Sequence, residues 1–157
     1  LTRERLQSFS DFYVLFTYWL ITPSLMAWFS TSFSVVVSGY ILERIYAQTL
    51  VVAAAVVGIV LGGVGYVFLE GEQFFLVGST AAAWSLAGLL ISVGVRRWRS
   101  AGLLVRLYLV YLIVSFGLMA FDQSPVAMSQ LIVGVLSFAV GWLLRPYESS
   151  TPDWFFR

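Results

Sequence analysis

Any chemistry in this chain must come from hydroxyls, carboxylates, amides and arginines, because its 157 residues include no histidine, cysteine or lysine. A serine or threonine becomes a nucleophile only when a neighbouring base accepts its proton. Neither a Ser–His nor a Ser–Lys pair is available here. Thiol chemistry and disulfides are excluded too, so cysteine usage says nothing about the redox compartment. An aspartyl protease needs two carboxylates sharing one membrane site. Glu70, Glu72 and Asp122 instead stand in breaks between apolar runs, and Glu43 stands at the end of one. Metal binding is not expected without His or Cys, no glycine-rich phosphate loop precedes a charged helix start, and no cofactor is expected. Arg96, Arg97 and Arg99 form a basic cluster beside an apolar run. Such clusters attract anionic headgroups, although their role in setting topology accounts for them first.

The elements that must position these groups follow from composition. The chain is 60% hydrophobic and 11% charged, with a net charge of +1. That balance implies lipid as the main solvent and argues against a nucleic-acid partner. Spans of about 20 residues use up most of the length, leaving room for one domain. The expected fold class is an all-α polytopic membrane protein, since a span in hydrocarbon must satisfy its own backbone as a helix. Five spans are expected, at Ser24–Leu42, Ala47–Leu69, Val77–Val95, Leu103–Phe121 and Val126–Leu144. Residues 1–23 form a lead-in at the membrane interface. Its aromatics Phe12, Tyr13, Phe16, Tyr18 and Trp19 suit the headgroup level, and Pro23 breaks it from the first span. Residues 146–157 form a tail in which Trp154, Phe155 and Phe156 suit an interfacial anchor or a docking segment.

Basic residues mark the cytoplasmic side. With five spans threaded, Arg44, Arg96, Arg97, Arg99, Arg106, Arg145 and Arg157 fall on one side, opposite Glu70, Glu72 and Asp122. The C-terminus is then cytoplasmic and Leu1 outside, an odd place for Arg3 and Arg5. One further span upstream would return the N-terminus to the cytoplasm. Leu1 to Gln7 is polar and does not look like a signal peptide. The basic residues are all arginine and asparagine is absent, read as the codon bias of a GC-rich prokaryotic genome and so a prokaryotic plasma membrane. Glycines recur within the spans, at Gly58, Gly62, Gly63, Gly65, Gly78, Gly88, Gly134 and Gly141, where they permit close helix approach.

The third span reads Val77-Gly78-Ser79-Thr80-Ala81-Ala82-Ala83-Trp84-Ser85-Leu86-Ala87-Gly88. It resembles the fourth helix of the rhomboid family of intramembrane serine proteases, which opens Gly-x-Ser-Gly before small and apolar residues. Thr80 then takes the place of the nucleophilic serine, and Gly78 lies at the oxyanion end of the motif. In the first span, Ser38-Gly39-Tyr40-Ile41-Leu42-Glu43 is similar to the family signature of glycine followed four residues later by glutamate. Family spacing counted back from Glu43 puts Thr31 at the family's asparagine and Ala27 at its histidine. Leu15-Phe16-Thr17 matches the approach to that helix, while Ala47 replaces a glycine that often follows the glutamate. Ser129-Gln130-Leu131 in the last span places Gln130 at the family's second histidine, with Val133, Ser137 and Gly141 along the stripe facing the serine helix.

The resemblance covers about Phe12 to Arg145 and implies a rhomboid-like helical bundle whose first family helix is missing from this chain. It implies a site of Thr80, Gln130, Ala27, Thr31 and Gly78, and structural roles for Gly39, Glu43, Gly88, Gly134 and Gly141. Glu43 is expected to cap its helix or pair with a loop arginine. Because an amide is no base near neutral pH, the implied protein is a pseudoprotease. Its expected role is to recognise transmembrane segments of client membrane proteins within the bilayer, for stabilisation, trafficking or quality control. The alternative is a small structural or accessory subunit whose glycine-rich helix faces dock on a partner. A transporter half is disfavoured, since no span carries a central charge and no inverted repeat is evident.

Overall fold

The computed structural model describes residues 25–69, 78–122 and 124–144. The interfacial lead-in, the acidic break around Glu70 and Glu72, and the C-terminal tail lie outside them. Five helices run in order: α1 (Leu25–Glu43), α2 (Gln48–Leu69), α3 (Gly78–Arg96), α4 (Leu103–Phe121) and α5 (Pro125–Leu143). Each begins and ends within one residue of the span read from the sequence. No strand occurs among the described residues.

Three of these helices, α2, α4 and α5, are long and apolar enough to cross a membrane, with 19-residue stretches of mean hydropathy 2.2, 2.1 and 1.9. The chain thus has the make-up of an integral membrane protein. The other two are more polar or shorter in apolar run. In α1, Ser30, Thr31, Ser32, Ser34 and Ser38 interrupt the apolar side chains, and the apolar stretch described for α3 is Thr80–Arg96.

The start of α5 differs from the sequence reading, which left Pro125 in the preceding break. Proline is instead the first helical residue, a position where its missing N–H is not needed and its fixed φ suits the helix. Ser124 caps the end, accepting from the Ala127 backbone N–H at 3.2 Å. The Asp122 carboxylate in turn accepts from the Ser124 backbone N–H at 2.9 Å. Losing such a cap costs about 1 kcal/mol. Ser124→Ala should lower the midpoint of thermal unfolding in detergent correspondingly, and an unchanged midpoint would show that the cap is redundant.

Helix α3 lies at the centre, packed most extensively on α5 and touching the other three helices as well. From Ala81 to Gly94 every residue is buried except the half-buried Trp84. Small residues make this possible. A Cβ on Gly88 would strike the carbonyl oxygen of Gly134, one on Gly141 would strike Ser92 Oγ, and one on Gly58 would strike Ser85. The α3 and α5 backbones therefore run side by side in the same direction.

The distribution of polarity is inverted relative to a soluble protein. Phe29, Phe33, Leu104, Leu107, Leu118 and Phe121 are exposed, whereas Ser38, Ser85, Ser92 and Ser129 are buried. In lipid, burying apolar area drives little, so close packing and interior hydrogen bonds hold the helices together. The Ser85 hydroxyl donates to the Ala54 carbonyl on α2 at 2.8 Å. Ser137 on α5 lies 2.9 Å from the same Ser85 oxygen. Since Ser85 spends its proton on Ala54, Ser137 is the donor of that second bond, and one relay ties α5 to α3 to α2.

Candidate functional site

Polar groups inside a span are costly, so the hydroxyls of α1 require an explanation. Ser30, Thr31 and Ser34 occupy one face of the helix, by the three- and four-residue spacing of neighbours. Thr80 stands one turn before Trp84 on α3, and Tyr111 one turn before Ser115 on α4. The three faces converge on one cavity of about 90 Å³, lined by these residues with Ala83, Ala87 and Leu112. That is room for a few waters or for one small side chain.

Thr31 and Thr80, inferred from separate motifs, thus meet at the same cavity. Thr31 is 9% exposed. Ala27 lies one turn earlier on α1 and Gly78 opens α3, but the surroundings of their side-chain positions are outside the description. Gln130 does not line the cavity. It is buried on α5, 6% exposed, and no side-chain hydrogen bond to it occurs among the described residues. The structure therefore does not join Thr80 to Gln130 as nucleophile and base positions would be joined.

The remaining residues implied by the resemblance divide between packing and exposure. Gly88, Gly134 and Gly141 lie at the α3 contacts, with Phe116 of α4 against Gly134. Gly39 has nothing within 4 Å of where a Cβ would sit, so packing does not demand glycine there. Glu43 is exposed, and no ion pair to it occurs among the described residues. Among the described residues the expected pairing with a loop arginine is not seen; the neighbouring Arg44 turns to Tyr40, donating to its hydroxyl at 3.2 Å with its guanidinium 5.0 Å from the ring centre.

The α1–α4 side of the cavity is a seam. The two backbones make little contact, and Tyr108 of α4 reaches across to α1. Its hydroxyl donates to the Ser34 carbonyl at 3.4 Å, and the Ser38 hydroxyl lies 3.0 Å from it. With the phenol proton on Ser34, Ser38 is the donor of the shorter bond. Below this bridge the seam widens into an apolar cleft of about 460 Å³ between Val37, Tyr40 and Ile41 of α1 and Leu104, Val105 and Tyr108 of α4. On the inner wall, Trp84 meets Phe116 edge to face at 4.7 Å.

Ser30, Ser34, Tyr111 and Ser115 were not singled out in the sequence. The signal for the first two was present as the run of hydroxyls at residues 30–34 of an apolar segment. Tyr111 and Ser115 had no such signal, since one aromatic and one serine in α4 are ordinary.

Among the described residues the positive charges gather at one end. Arg96 donates to the Leu144 carbonyl at 3.2 Å, and Arg106 to the carbonyls of Ala101 and Arg99 at 2.7 and 2.9 Å. In the α1–α2 turn, burial raises the pKa of the Tyr46 hydroxyl, and the charges of Arg96 and Arg97 partly oppose that shift. No group of three or more His, Cys, Asp or Glu residues able to hold a metal occurs among the described residues. The cavity can donate and accept hydrogen bonds, but it contains no base to activate a hydroxyl. No known protein family, characterised protein or solved structure matches this chain.

Proposed function

We propose that this is a non-catalytic, rhomboid-like membrane protein that receives transmembrane segments of client proteins laterally, between α1 and α4. The observation that carries the reading is the hydroxyl-lined cavity beneath the α1–α4 seam, where Thr31 and Thr80 lie together. An entering helix finds apolar walls along the cleft and hydroxyls at the cavity, where an exposed client backbone group can be hydrogen-bonded. A lateral port needs two helices that can part, and α1 and α4 are held mainly by the Tyr108 bridge. The central, small-residue helix carrying Thr80 also suits the resemblance. On this reading all five helices span the bilayer of a prokaryotic plasma membrane with the arginine end and the C-terminus cytoplasmic. The outcome for the client is stabilisation, trafficking or quality control.

The accessory-subunit alternative drew its support from glycine-rich faces free to dock. Gly58, Gly62, Gly63, Gly88, Gly134 and Gly141 are buried within the bundle and Gly65 is half-buried, which favours the client reading over that alternative.

A photocrosslinking residue at Ser115, on the cavity, should capture membrane proteins in cells far more than one at Val52, on the exposed face of α2. Equal capture from both sites, or lipid adducts alone from Ser115, would remove the client role. A fluorophosphonate serine probe should leave the purified protein unlabelled, and labelling lost in Thr80→Val would overturn the non-catalytic assignment.

A further inference from the structure

On the side of the bundle away from the α1–α4 seam, α2 and α5 part to leave a second opening. Leu50, Ala53 and Val57 of α2 face Leu136, Val140 and Leu144 of α5 across an apolar groove of about 340 Å³. Its volume lies in the ~300–1,000 Å³ range of small-molecule sites. The floor is α3, where Ser85 bonds the Ala54 carbonyl of α2 and the Ser137 hydroxyl of α5, so the groove offers an occupant almost only hydrocarbon.

One end of the groove is charged. Leu144, at the mouth, gives its carbonyl to Arg96, whose guanidinium also lies 4.5 Å from the ring centre of Trp142. Arg96 is exposed, and among the described residues its side-chain hydrogen bond is the one to Leu144. Arg97 is half-buried, and no side-chain hydrogen bond or ion pair to it occurs among the described residues. Both arginines act on the Tyr46 hydroxyl, which itself reaches the Gly141 carbonyl on α5 at 3.5 Å. Arg96 stands at the groove's mouth through its bond to Leu144, and Arg97 follows it where α3, the floor, ends, its backbone N–H donating to the Val93 carbonyl at 3.0 Å. At this end of the molecule the described residues hold Arg44, Arg96, Arg97, Arg99 and Arg106 against Glu43 alone, a net positive balance among them.

We propose that the α2–α5 groove is a lipid site, taking an acyl chain of an anionic phospholipid whose phosphate is held by Arg96 and Arg97. An apolar slot ending in two arginines is complementary to such a lipid at both its parts. Neutral phospholipids share the chain but not the net charge. A helix of a partner protein would satisfy the slot but leave the arginines unpaired. The site is independent of the client port, from which α3 separates it.

Delipidated full-length protein in detergent, titrated with phosphatidylglycerol and phosphatidylcholine of identical chains and read by native mass spectrometry, tests the assignment. Phosphatidylglycerol should bind about 25-fold more tightly, the product of about fivefold for each arginine near the headgroup. Arg97→Gln should reduce that preference about fivefold, whereas Arg44→Gln, in the α1–α2 turn, should leave it unchanged. Ala53→Trp, which fills the exposed wall of the groove, should weaken both lipids alike. Equal affinity for the two lipids, equal effects of Arg44→Gln and Arg97→Gln, or lipid binding indifferent to Ala53→Trp would each overturn the site. So would a copurifying protein that crosslinks from position 53 and is not displaced by phosphatidylglycerol. Thermal midpoints of the lipid-free variants close to that of the parent exclude misfolding as the cause.

Discussion

Gly88→Leu should destabilise the bundle by about 3 kcal/mol or more, the upper part of the range for overpacking a close contact. A Cβ at position 88 would run into the Gly134 carbonyl oxygen and the Phe138 backbone nitrogen. These are backbone atoms of α5, so no rotamer change relieves the clash and the two helices must separate. Separation would also loosen the Gly141–Ser92 contact and the Ser137–Ser85 bond, since both join the same pair of helices. Gly39→Ala provides the contrast. It also sits within a helix, yet its Cβ would meet nothing within 4 Å. There the gain in helix propensity, about 1 kcal/mol for alanine over glycine, should leave the protein slightly more stable. Reversible unfolding in mixed micelles measures both. Similar behaviour of the two variants would sink the idea that close α3–α5 approach holds this fold.

Gln130→Met should stabilise the protein, by about 1–3 kcal/mol. The Gln130 amide is 6% exposed and no side-chain hydrogen bond to it occurs among the described residues. A buried polar group without a partner costs about that much, and methionine replaces it with a flexible apolar side chain of similar length. The same unfolding assay decides, and a loss of stability would mean that the amide is satisfied in the membrane. The result also bears on function. Because Gln130 does not line the cavity, Gln130→Met should leave client capture from position 115 unchanged.

How much of this was legible in the sequence depended on the range of the interactions involved. Helix ends were readable to within a residue because the span length is imposed by lipid thickness and by internal hydrogen bonding, both local properties. Pro125 escaped because proline both ends and begins helices, and only the Ser124 cap distinguishes the two. The cavity was half legible. Thr31 and Thr80 came from motifs on separate helices, but Tyr111 and Ser115 join them only because α4 stands beside α1 on the same side of α3. The fate of Glu43 was not legible, since whether it meets an arginine depends on where Arg44 turns.

By itself the sequence determined that this chain is helical and suited to lipid, and that no histidine, cysteine or lysine can support catalysis in it. Those properties are sums over residues and need no neighbours. Tertiary structure decided which helix lies at the centre, which glycines are contacts and which are merely tolerated, and that Gln130 is buried away from the cavity. It also decided that α2 and α5 leave an apolar slot ending at Arg96 and Arg97. Each of these depends on how helix faces rotate against one another, which small residues permit at several angles and only the packed whole selects.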